Sequence, residues 1–147
     1  MNDSNFESLK LKNQLCFPLY AASREVIKQY RPYLDAIGLT YTQYIAMMVL
    51  WEEKKISVRD LGKKLFLDSG TLTPVLKSLE GKGFISRSRS SEDERVLIAE
   101  ITDAGEKLRE QASSVPGKVA GCVKLSPDEA KQLYALLYKV LGALQEE

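Results

Sequence analysis

The chain has 147 residues, 44 % of them hydrophobic and 28 % charged, with a formal net charge of +1, which suits one domain around one core. No apolar run approaches the ~20 residues that span a bilayer, and the start MNDSNFESLK lacks a secretory signal, so we expect a cytoplasmic protein. Two cysteines are too few for a disulfide framework, and the absence of histidine excludes most hydrolase and zinc sites, so we predict no enzyme, metal or cofactor.

The first predicted helix carries apolar residues at steps of three and four over Leu15–Leu34 and should end within Pro32–Gly38. A proline is tolerated in the first helical turn, so the helix should begin near Phe17 or Pro18. Cys16 then lies at the amino end, where the helix dipole and free N–H groups favour a thiolate. Alternatively, Cys16 is a small packing residue on an apolar face.

Three helices are predicted in the middle of the chain, each after a polar residue that can cap its first turn. Their start signals are Thr40–Gln43, which can form a capping box, Ser57–Asp60, and Asp68 or Ser69. The helix from Ser57 is short, and the one from Asp68 should end at Gly81 or Gly83.

A β-hairpin is predicted next, because the apolar period changes from about four residues to two. Its strands are Phe84–Arg89 and Val96–Ile101, joined by the polar segment Ser90–Glu94. Two short helices before a hairpin outline a winged helix-turn-helix, whose second helix enters the DNA major groove. Lys54–Arg95 also holds ten Lys or Arg against six Asp or Glu, a net charge of +4, whereas the rest of the chain carries −3. This distribution favours an anionic partner.

The exposed side chains of the second helix and of the hairpin are the candidate contacts to double-stranded DNA. Hydroxyl and basic groups that can reach bases or phosphates stand at Ser69, Thr71, Thr73, Lys77, Arg87, Arg89 and Arg95. In the alternative interpretation, Ser69 and Thr71 only cap a helix and the arginines only solvate a hairpin. The spacing by itself leaves both interpretations open.

Two helices are predicted towards the end of the chain. Thr102–Asp103 begins the first, which Pro116–Gly117 should break or kink if the helix extends that far. Ser126–Glu129 begins the second with a serine cap, a proline at the first position and a glutamate at the third. The apolar stripe of this last helix, within Leu133–Leu144, packs either on a second subunit or on its own domain.

The segment LGKKLFLDSGTLTPVLKSLEGKGFISRSRSSEDERVLIAEIT resembles the DNA-binding core of the MarR family of transcription regulators, including an Asp-x-Arg wing signature at Asp93–Arg95. The segment NQLCFPLYAASREVIKQYRPYLDAIGLTYTQY is similar to the OhrR branch, the organic hydroperoxide resistance regulators. The resemblance covers nearly the whole chain, with LCF, Tyr30, Tyr41 and LDSGTLTP in order. It implies a mainly α fold with a small β wing.

The resemblance further implies a single domain over residues 1–147, with a winged helix-turn-helix core at about 40–102 and dimerisation helices at about 1–37 and 103–147. It also implies that two chains form a homodimer, which binds a pseudo-palindromic operator. In the wing, Asp93 holds Arg95 for entry into the minor groove. Close relatives often carry a second basic residue after Lys77, where this chain has Ser78. Ser88 likewise interrupts a wing strand that is more basic in those relatives. Each lost phosphate contact lowers the log-log salt slope of binding by about 0.9.

By the same resemblance, the thiolate of Cys16 attacks an organic hydroperoxide, and Tyr30 and Tyr41 contact this thiol. Tyr30 follows Cys16 by fourteen residues, about 21 Å along a helix, so the partner subunit must supply it. Tyr20, one turn after Cys16, can contact it within the chain. Alternatively, the tyrosines are amphipathic residues at the edge of the core. Resemblance to two-cysteine members implies an intersubunit disulfide with Cys122, and in one-cysteine members a small thiol or over-oxidation takes that role.

The function implied is that of a redox-sensing repressor that leaves operator DNA when Cys16 is oxidised. One alternative is a MarR-type repressor that responds to a small phenolic ligand and uses Cys16 only for structure. Another is a thiol-dependent peroxidase, which the lack of histidine and of a basic residue near Cys16 disfavours.

Overall fold

The chain is built mainly from helices, and the computed structural model describes it over residues 3–145. The helices are α1 (Cys16–Asp35), α2 (Tyr41–Glu53), α3 (Val58–Leu65), α4 (Ser69–Gly81), α5 (Asp103–Ala112), α6 (Val115–Val119) and α7 (Pro127–Gln145). The strands are β1 (Lys55–Ser57), β2 (Ile85–Arg89) and β3 (Leu97–Ile101), and short 3-10 segments cover Asp3–Leu9, Leu11–Asn13 and Ala120–Cys122. This order confirms the predicted mainly α fold with a small β wing.

Helix α1 begins at Cys16, one residue before the predicted start. Pro18 fits in its first turn because the first N–H groups of a helix have no acceptor within it. At the other end, Gly38 has a φ of +73°, and the backbone N–H of Leu39 donates to the Leu34 carbonyl over 3.0 Å. This left-handed glycine reverses the chain after α1 and leads it into α2.

Polar caps hold the amino ends of the predicted helices. Thr40 Oγ1 accepts from the Gln43 backbone N–H over 3.3 Å, and Gln43 Oε1 accepts from that of Thr40 over 3.0 Å. Ser126 and Glu129 form the same reciprocal pair at α7, over 2.9 and 3.2 Å. Single cap hydrogen bonds begin the other predicted helices, from Ser57 at α3, Asp68 at α4 and Thr102 at α5. The start signals in the sequence are thereby confirmed.

The three strands form an antiparallel sheet in the order β1-β3-β2. The predicted hairpin is present, with Ile85 opposite Ile101 and Arg89 opposite Leu97. Strand β1 was not predicted, and its three residues pair with β3 so that Lys55 lies opposite Glu100. The sheet therefore ties the wing to the chain segment between α2 and α3.

The hydrophobic core lies between α2, α3, α4 and α5. Side chains with no exposed surface are supplied by Met47 and Leu50 of α2, Leu61 of α3, and Leu76 and Leu79 of α4. Burial of such side chains contributes about 1.5–3 kcal/mol each relative to exposure. This packing fixes α4 against the two preceding helices.

Gly105 of α5 lies at the closest approach between α5 and the rest of the core. Its carbonyl accepts a 2.8 Å hydrogen bond from Trp51 Nε1 on α2. A Cβ atom at Gly105 would stand 2.3 Å from the Phe84 carbonyl oxygen, which is far inside van der Waals contact. The glycine therefore allows α5 to pack directly on the backbone before β2.

Helix α5 ends at Ala112, and α6 begins three residues later, at Val115, with Pro116 in its first turn. The break predicted at Pro116–Gly117 thus falls slightly earlier. Val115 and Val119 of α6 are buried against α1. Helix α7, in contrast, has no buried residue, and its large exposed apolar side chains are Leu133, Tyr134, Leu136, Tyr138, Val140 and Leu144.

Candidate nucleic-acid interface and thiol site

Helix α4 presents polar side chains at its amino end. Asp68 Oδ1 accepts from the backbone N–H of Thr71 over 2.7 Å, and this hydrogen bond holds the pKa of Asp68 below its ordinary value. Ser69 and Thr71 are exposed, and Lys77 is exposed two turns further on. Thr73 is half-buried, and its hydroxyl donates to the Ser69 carbonyl over 2.6 Å. Of the α4 side chains predicted to contact DNA, Ser69, Thr71 and Lys77 are therefore exposed and Thr73 is not.

The wing carries a bidentate pair at its tip. Arg95 Nε donates to Asp93 Oδ1 over 3.1 Å, Nη2 donates to Oδ2 over 3.2 Å, and the Arg95 backbone N–H also reaches Oδ1 over 3.0 Å. These bonds hold the pKa of Asp93 below its ordinary value, the side-chain bond contributing most. The Arg95 side chain is nevertheless 90 % exposed, and Arg89 is exposed as well. Asp93 thus orients Arg95 without covering it, as the MarR resemblance implies.

Arg87 differs from the other arginines of the wing because its side chain is only 17 % exposed. Its Nη2 donates to Glu80 Oε1 over 3.2 Å, and its backbone N–H donates to Glu80 Oε2 over 3.1 Å. These bonds hold the pKa of Glu80 below its ordinary value. Within residues 3–145, Arg87 Nε is buried with no hydrogen-bond partner. Arg87 thus fastens β2 to α4, and sequence reasoning had not identified Glu80.

The two cysteines are free thiols, both exposed, in different parts of the chain. Cys16 is the first residue of α1, whereas Cys122 ends the 3-10 segment after α6. The Cys122 thiol donates to Gln29 Oε1 over 3.7 Å. Gln29 follows Cys16 by thirteen residues of α1, which is about 20 Å. No disulfide between these two cysteines can therefore form within one chain while α1 remains intact.

An aromatic cluster surrounds the junction of α1 and α2. The rings of Tyr30 and Tyr41 meet edge to face at 5.0 Å, and Tyr44 lies 6.0 and 6.2 Å from them. Trp51 extends the cluster at 6.5 Å from Tyr44. Burial, and secondarily the neighbouring Tyr30, raise the pKa of Tyr41. Two of the predicted thiol-contacting tyrosines are thus together in one chain, and Tyr30 follows Cys16 by fourteen residues of α1.

Tyr20, the third predicted thiol contact, lies on the exposed side of α1, one helical turn after Cys16. Its hydroxyl accepts a 3.3 Å hydrogen bond from Arg24 Nη1, and the guanidinium lies 5.1 Å from its ring centroid. Tyr20 therefore lies near the same end of α1 as Cys16, whereas Tyr30, which packs on Tyr41, and Gln29, which contacts Cys122, lie towards the other end.

Across residues 3–145, no three His, Cys, Asp or Glu side chains lie close enough to hold a metal ion. In the same part of the chain, no helix combines the length and apolarity required to cross a membrane.

A buried helical core, a three-stranded wing and a polar, exposed face on α4 define a winged-helix DNA-binding regulator. The chain belongs to the SarA/Rot family of transcriptional regulators, which it matches over residues 28–112. Its fold is the MarR-like winged helix, as the sequence resemblance implied.

Individual relatives agree with this assignment. The chain is 47 % identical over 145 residues to the organic hydroperoxide resistance transcriptional regulator of Bacillus subtilis (strain 168), covering 99 % of each. Among solved structures, it is similar to reduced AbfR bound to DNA, with a TM-score of 0.76 and 38 % identity over 97 % of this chain and 99 % of AbfR. It is also similar to the disulfide form of AbfR, with a TM-score of 0.62 and 36 % identity over both full chains.

Proposed function

We propose that this protein is a repressor that binds operator DNA as a homodimer and leaves it when an organic hydroperoxide oxidises Cys16. The observation that carries the proposal is the placement of the thiols and tyrosines along α1. Gln29, which contacts Cys122, and Tyr30, which packs on Tyr41, stand at one level of α1, whereas Cys16 of the same chain lies about 20 Å away along the helix. A second chain that brings its own Cys16 to this level completes the site.

A dimer is supported by apolar surface that one chain leaves exposed. At the amino end, exposed large apolar side chains are Phe6, Leu9, Leu11, Leu15, Phe17 and Leu19. Helix α7 adds a second exposed apolar stripe near the other end of the chain. Large contiguous apolar patches on a protein surface commonly mark sites of association. A second copy of the chain covers these faces by packing its own α1 and α7 against them.

DNA contact in this proposal uses the exposed side chains of α4 and of the wing. Ser69, Thr71 and Lys77 face the major groove, and Arg89 and Arg95 reach phosphates or the minor groove beside it. Structures of AbfR bound to DNA in its reduced and overoxidised forms support the same use of the related surface here. Thr73 and Arg87 border this surface, and their part in binding stays a prediction.

The chemistry begins when the Cys16 thiolate attacks one oxygen of the hydroperoxide. An S–O bond forms and the O–O bond breaks, so that the sulfur loses two electrons and the alkoxide leaves as an alcohol after it takes up a proton. The partner's Cys122, as a thiolate, then attacks the sulfenic acid of Cys16. An S–S bond forms, the S–O bond breaks, and the oxygen leaves as water with two protons.

Release of DNA follows because the reaction takes place between two chains. Disulfide formation draws Cys16 of one chain towards Cys122 of the other and changes the angle between the two winged cores. The recognition helices of the dimer are its two copies of α4. When they no longer fit successive major grooves, the dimer loses affinity for DNA. The structure of the disulfide form of AbfR supports the existence of such an oxidised state in a similar protein.

The test measures affinity for a promoter fragment before and after treatment with an organic hydroperoxide. For the unmodified protein we expect the affinity to fall about tenfold or more, within the usual range of allosteric coupling. Cys16→Ser should bind DNA normally and lose the entire response. Cys122→Ser should no longer form a covalent dimer on a non-reducing gel, because Cys16 then lacks its resolving thiol.

The rival functions predict different results in the same experiment. A repressor of the phenolic-ligand type would keep its ligand response in Cys16→Ser and would ignore hydroperoxide. A peroxidase would consume many equivalents of hydroperoxide in the presence of a thiol reductant. Release of DNA by hydroperoxide from Cys16→Ser would contradict the proposed role of this thiol.

A further inference from the structure

The side chain of Gln43 in the first turn of α2 is only 6 % exposed and makes three hydrogen bonds. Its Oε1 accepts from the Thr40 backbone N–H over 3.0 Å and from Lys82 Nζ over 2.9 Å. Its Nε2 donates to Ser78 Oγ over 2.8 Å. Lys82 Nζ donates also to the Gly38 carbonyl. These groups form one continuous network, the Gln43 network.

Only the bond between Gln43 and Thr40 is needed to cap α2. The other bonds join α2 and the preceding turn to α4, across 35 to 44 residues of sequence. Ser78 and Lys82 lie one helical turn apart, so both face the same side at the carboxyl end of α4. The amino end of that helix carries Ser69 and Thr71, the predicted DNA contacts. The Gln43 network therefore fastens one end of the recognition helix.

The network is also continuous with the tyrosine cluster. Tyr41 and Tyr44 belong to the same turn of α2 as Gln43, and Tyr30 packs on both rings. The capping box closes this turn, so that a shift of Tyr41 displaces Gln43 with it. A displaced Gln43 leaves buried polar groups unpaired unless α4 follows, and an unpaired buried group is costly.

Building on the proposed redox function, we infer that the Gln43 network couples the tyrosine cluster to the recognition helix. Gln43, Ser78 and Lys82 are positioning residues in this scheme, because they touch neither the oxidant nor DNA. Oxidation at the tyrosine cluster moves the first turn of α2, and the network carries this movement to α4. Ser78, which stands where relatives often carry a basic residue, thus has a structural partner in Gln43.

The test compares variants that cut the network between α2 and α4 and spare the cap of α2. Ser78→Ala removes the bond to Gln43 Nε2, and Lys82→Met removes the ammonium and keeps the apolar stem. Matched controls are Ser113→Ala, whose hydroxyl bonds only within its own helix segment, and Lys107→Met, which makes the same change of charge on exposed α5. For each protein, operator affinity is measured before and after hydroperoxide treatment, and Trp51 fluorescence is recorded in parallel.

In Ser78→Ala we expect the ratio of reduced to oxidised affinity to shrink about fivefold, which corresponds to one neutral hydrogen bond of about 1 kcal/mol. Lys82→Met should shrink the ratio in the same direction, and both controls should keep the ratio of the unmodified protein. The Trp51 emission should still respond to hydroperoxide in Ser78→Ala, because that indole lies beside the tyrosine cluster on α2.

A purely structural network gives a different result. Affinity then falls equally in the reduced and oxidised states, the ratio stays unchanged, and the coupling is refuted. Loss of the Trp51 response in Ser78→Ala would also overturn the coupling, because the network would then act before the tyrosine cluster. If the unmodified protein itself keeps its DNA after oxidation, the redox function fails, which is distinguishable from failure of the network alone.

Discussion

Helices α4 and α7 carry apolar stripes of the same spacing, yet the stripe of α4 is buried and the stripe of α7 is exposed. In α4, Leu72, Leu76 and Leu79 are at most 1 % exposed. In α7, Leu133 is 44 % and Leu136 59 % exposed. Periodicity thus predicts which face of a helix is apolar but does not tell what covers that face. The winged core buries its apolar residues within one chain, whereas the arms, formed by α1 and α7, leave many of theirs exposed.

The largest expected effect comes from making the same Leu→Ala truncation in the core and in α7. Leu76→Ala should lower the free energy of unfolding by about 2–5 kcal/mol, because the cavity lies inside a packed core. Leu136→Ala removes the same atoms from an exposed stripe and should weaken self-association instead. Urea unfolding and analytical ultracentrifugation, applied to both variants, measure the two effects. Equal losses of unfolding free energy would show that α7 packs within its own chain.

A smaller effect is expected from adding one methyl group to each region. Gly105→Ala places a Cβ against the Phe84 carbonyl and should cost about 1–3 kcal/mol of unfolding free energy. In α7, Gly142 has nothing within 4 Å of its added Cβ. Gly142→Ala should therefore stabilise the helix by about 0.5–1 kcal/mol. Thermal unfolding followed by circular dichroism measures both changes, and a loss at Gly142 would show that another chain lies against this position.

The contrast between covered and exposed residues continues within the wing. Arg95→Ala should lower the salt slope of DNA binding by about 0.9 and leave the unfolding free energy unchanged, because this arginine is exposed. Arg87→Ala should lower the unfolding free energy by breaking the pair with Glu80. Binding titrations at four salt concentrations, with urea unfolding of each variant, test the assignment. A reduced slope in Arg87→Ala would place Arg87 at a phosphate after all.

The smallest expected effect is on the pH dependence of unfolding, to which acidic residues contribute at the amino ends of α4 and α7. The pKa of Asp68 at α4 is held below its ordinary value of 3.8, first by the Thr71 backbone N–H. Its contribution to stability is therefore complete above pH 3.8 and is lost as the pH falls through the lower, folded pKa. Asp68→Asn keeps the acceptor and should flatten the pH dependence of unfolding below that point. Glu129→Gln makes the matching change at α7 and should leave the pH dependence of core unfolding as it was.

Local signals in the sequence predicted most of the fold. Caps such as Thr40, Asp68 and Ser126 act on neighbouring residues, so their effect can be recognised from a few letters. Strand β1 could not be predicted in this way, since three residues become a strand only when β3 lies beside them. The same dependence on contacts with distant residues explains why the break between α5 and α6 lies slightly before its predicted position.

The candidate site was predicted less completely, because its contacts join distant parts of the chain. Nothing in the sequence pairs Cys122 with Gln29, which lie 93 residues apart. Arg87 was grouped with the exposed arginines because strand alternation gives no information on Glu80. Ser78 looked like a missing basic residue, and its bond to Gln43 became visible only in the packed structure.

The uncovered apolar face of the arms has a consequence for the geometry of the operator. In the proposed dimer, the arms fix the distance between the two cores, and half-sites on one side of B-DNA repeat about every 34–36 Å. The core then determines which bases are read, whereas the arms determine how many base pairs separate the half-sites. Changes in α1 or α7 among relatives should therefore alter the spacer length and leave the half-site sequence as it is.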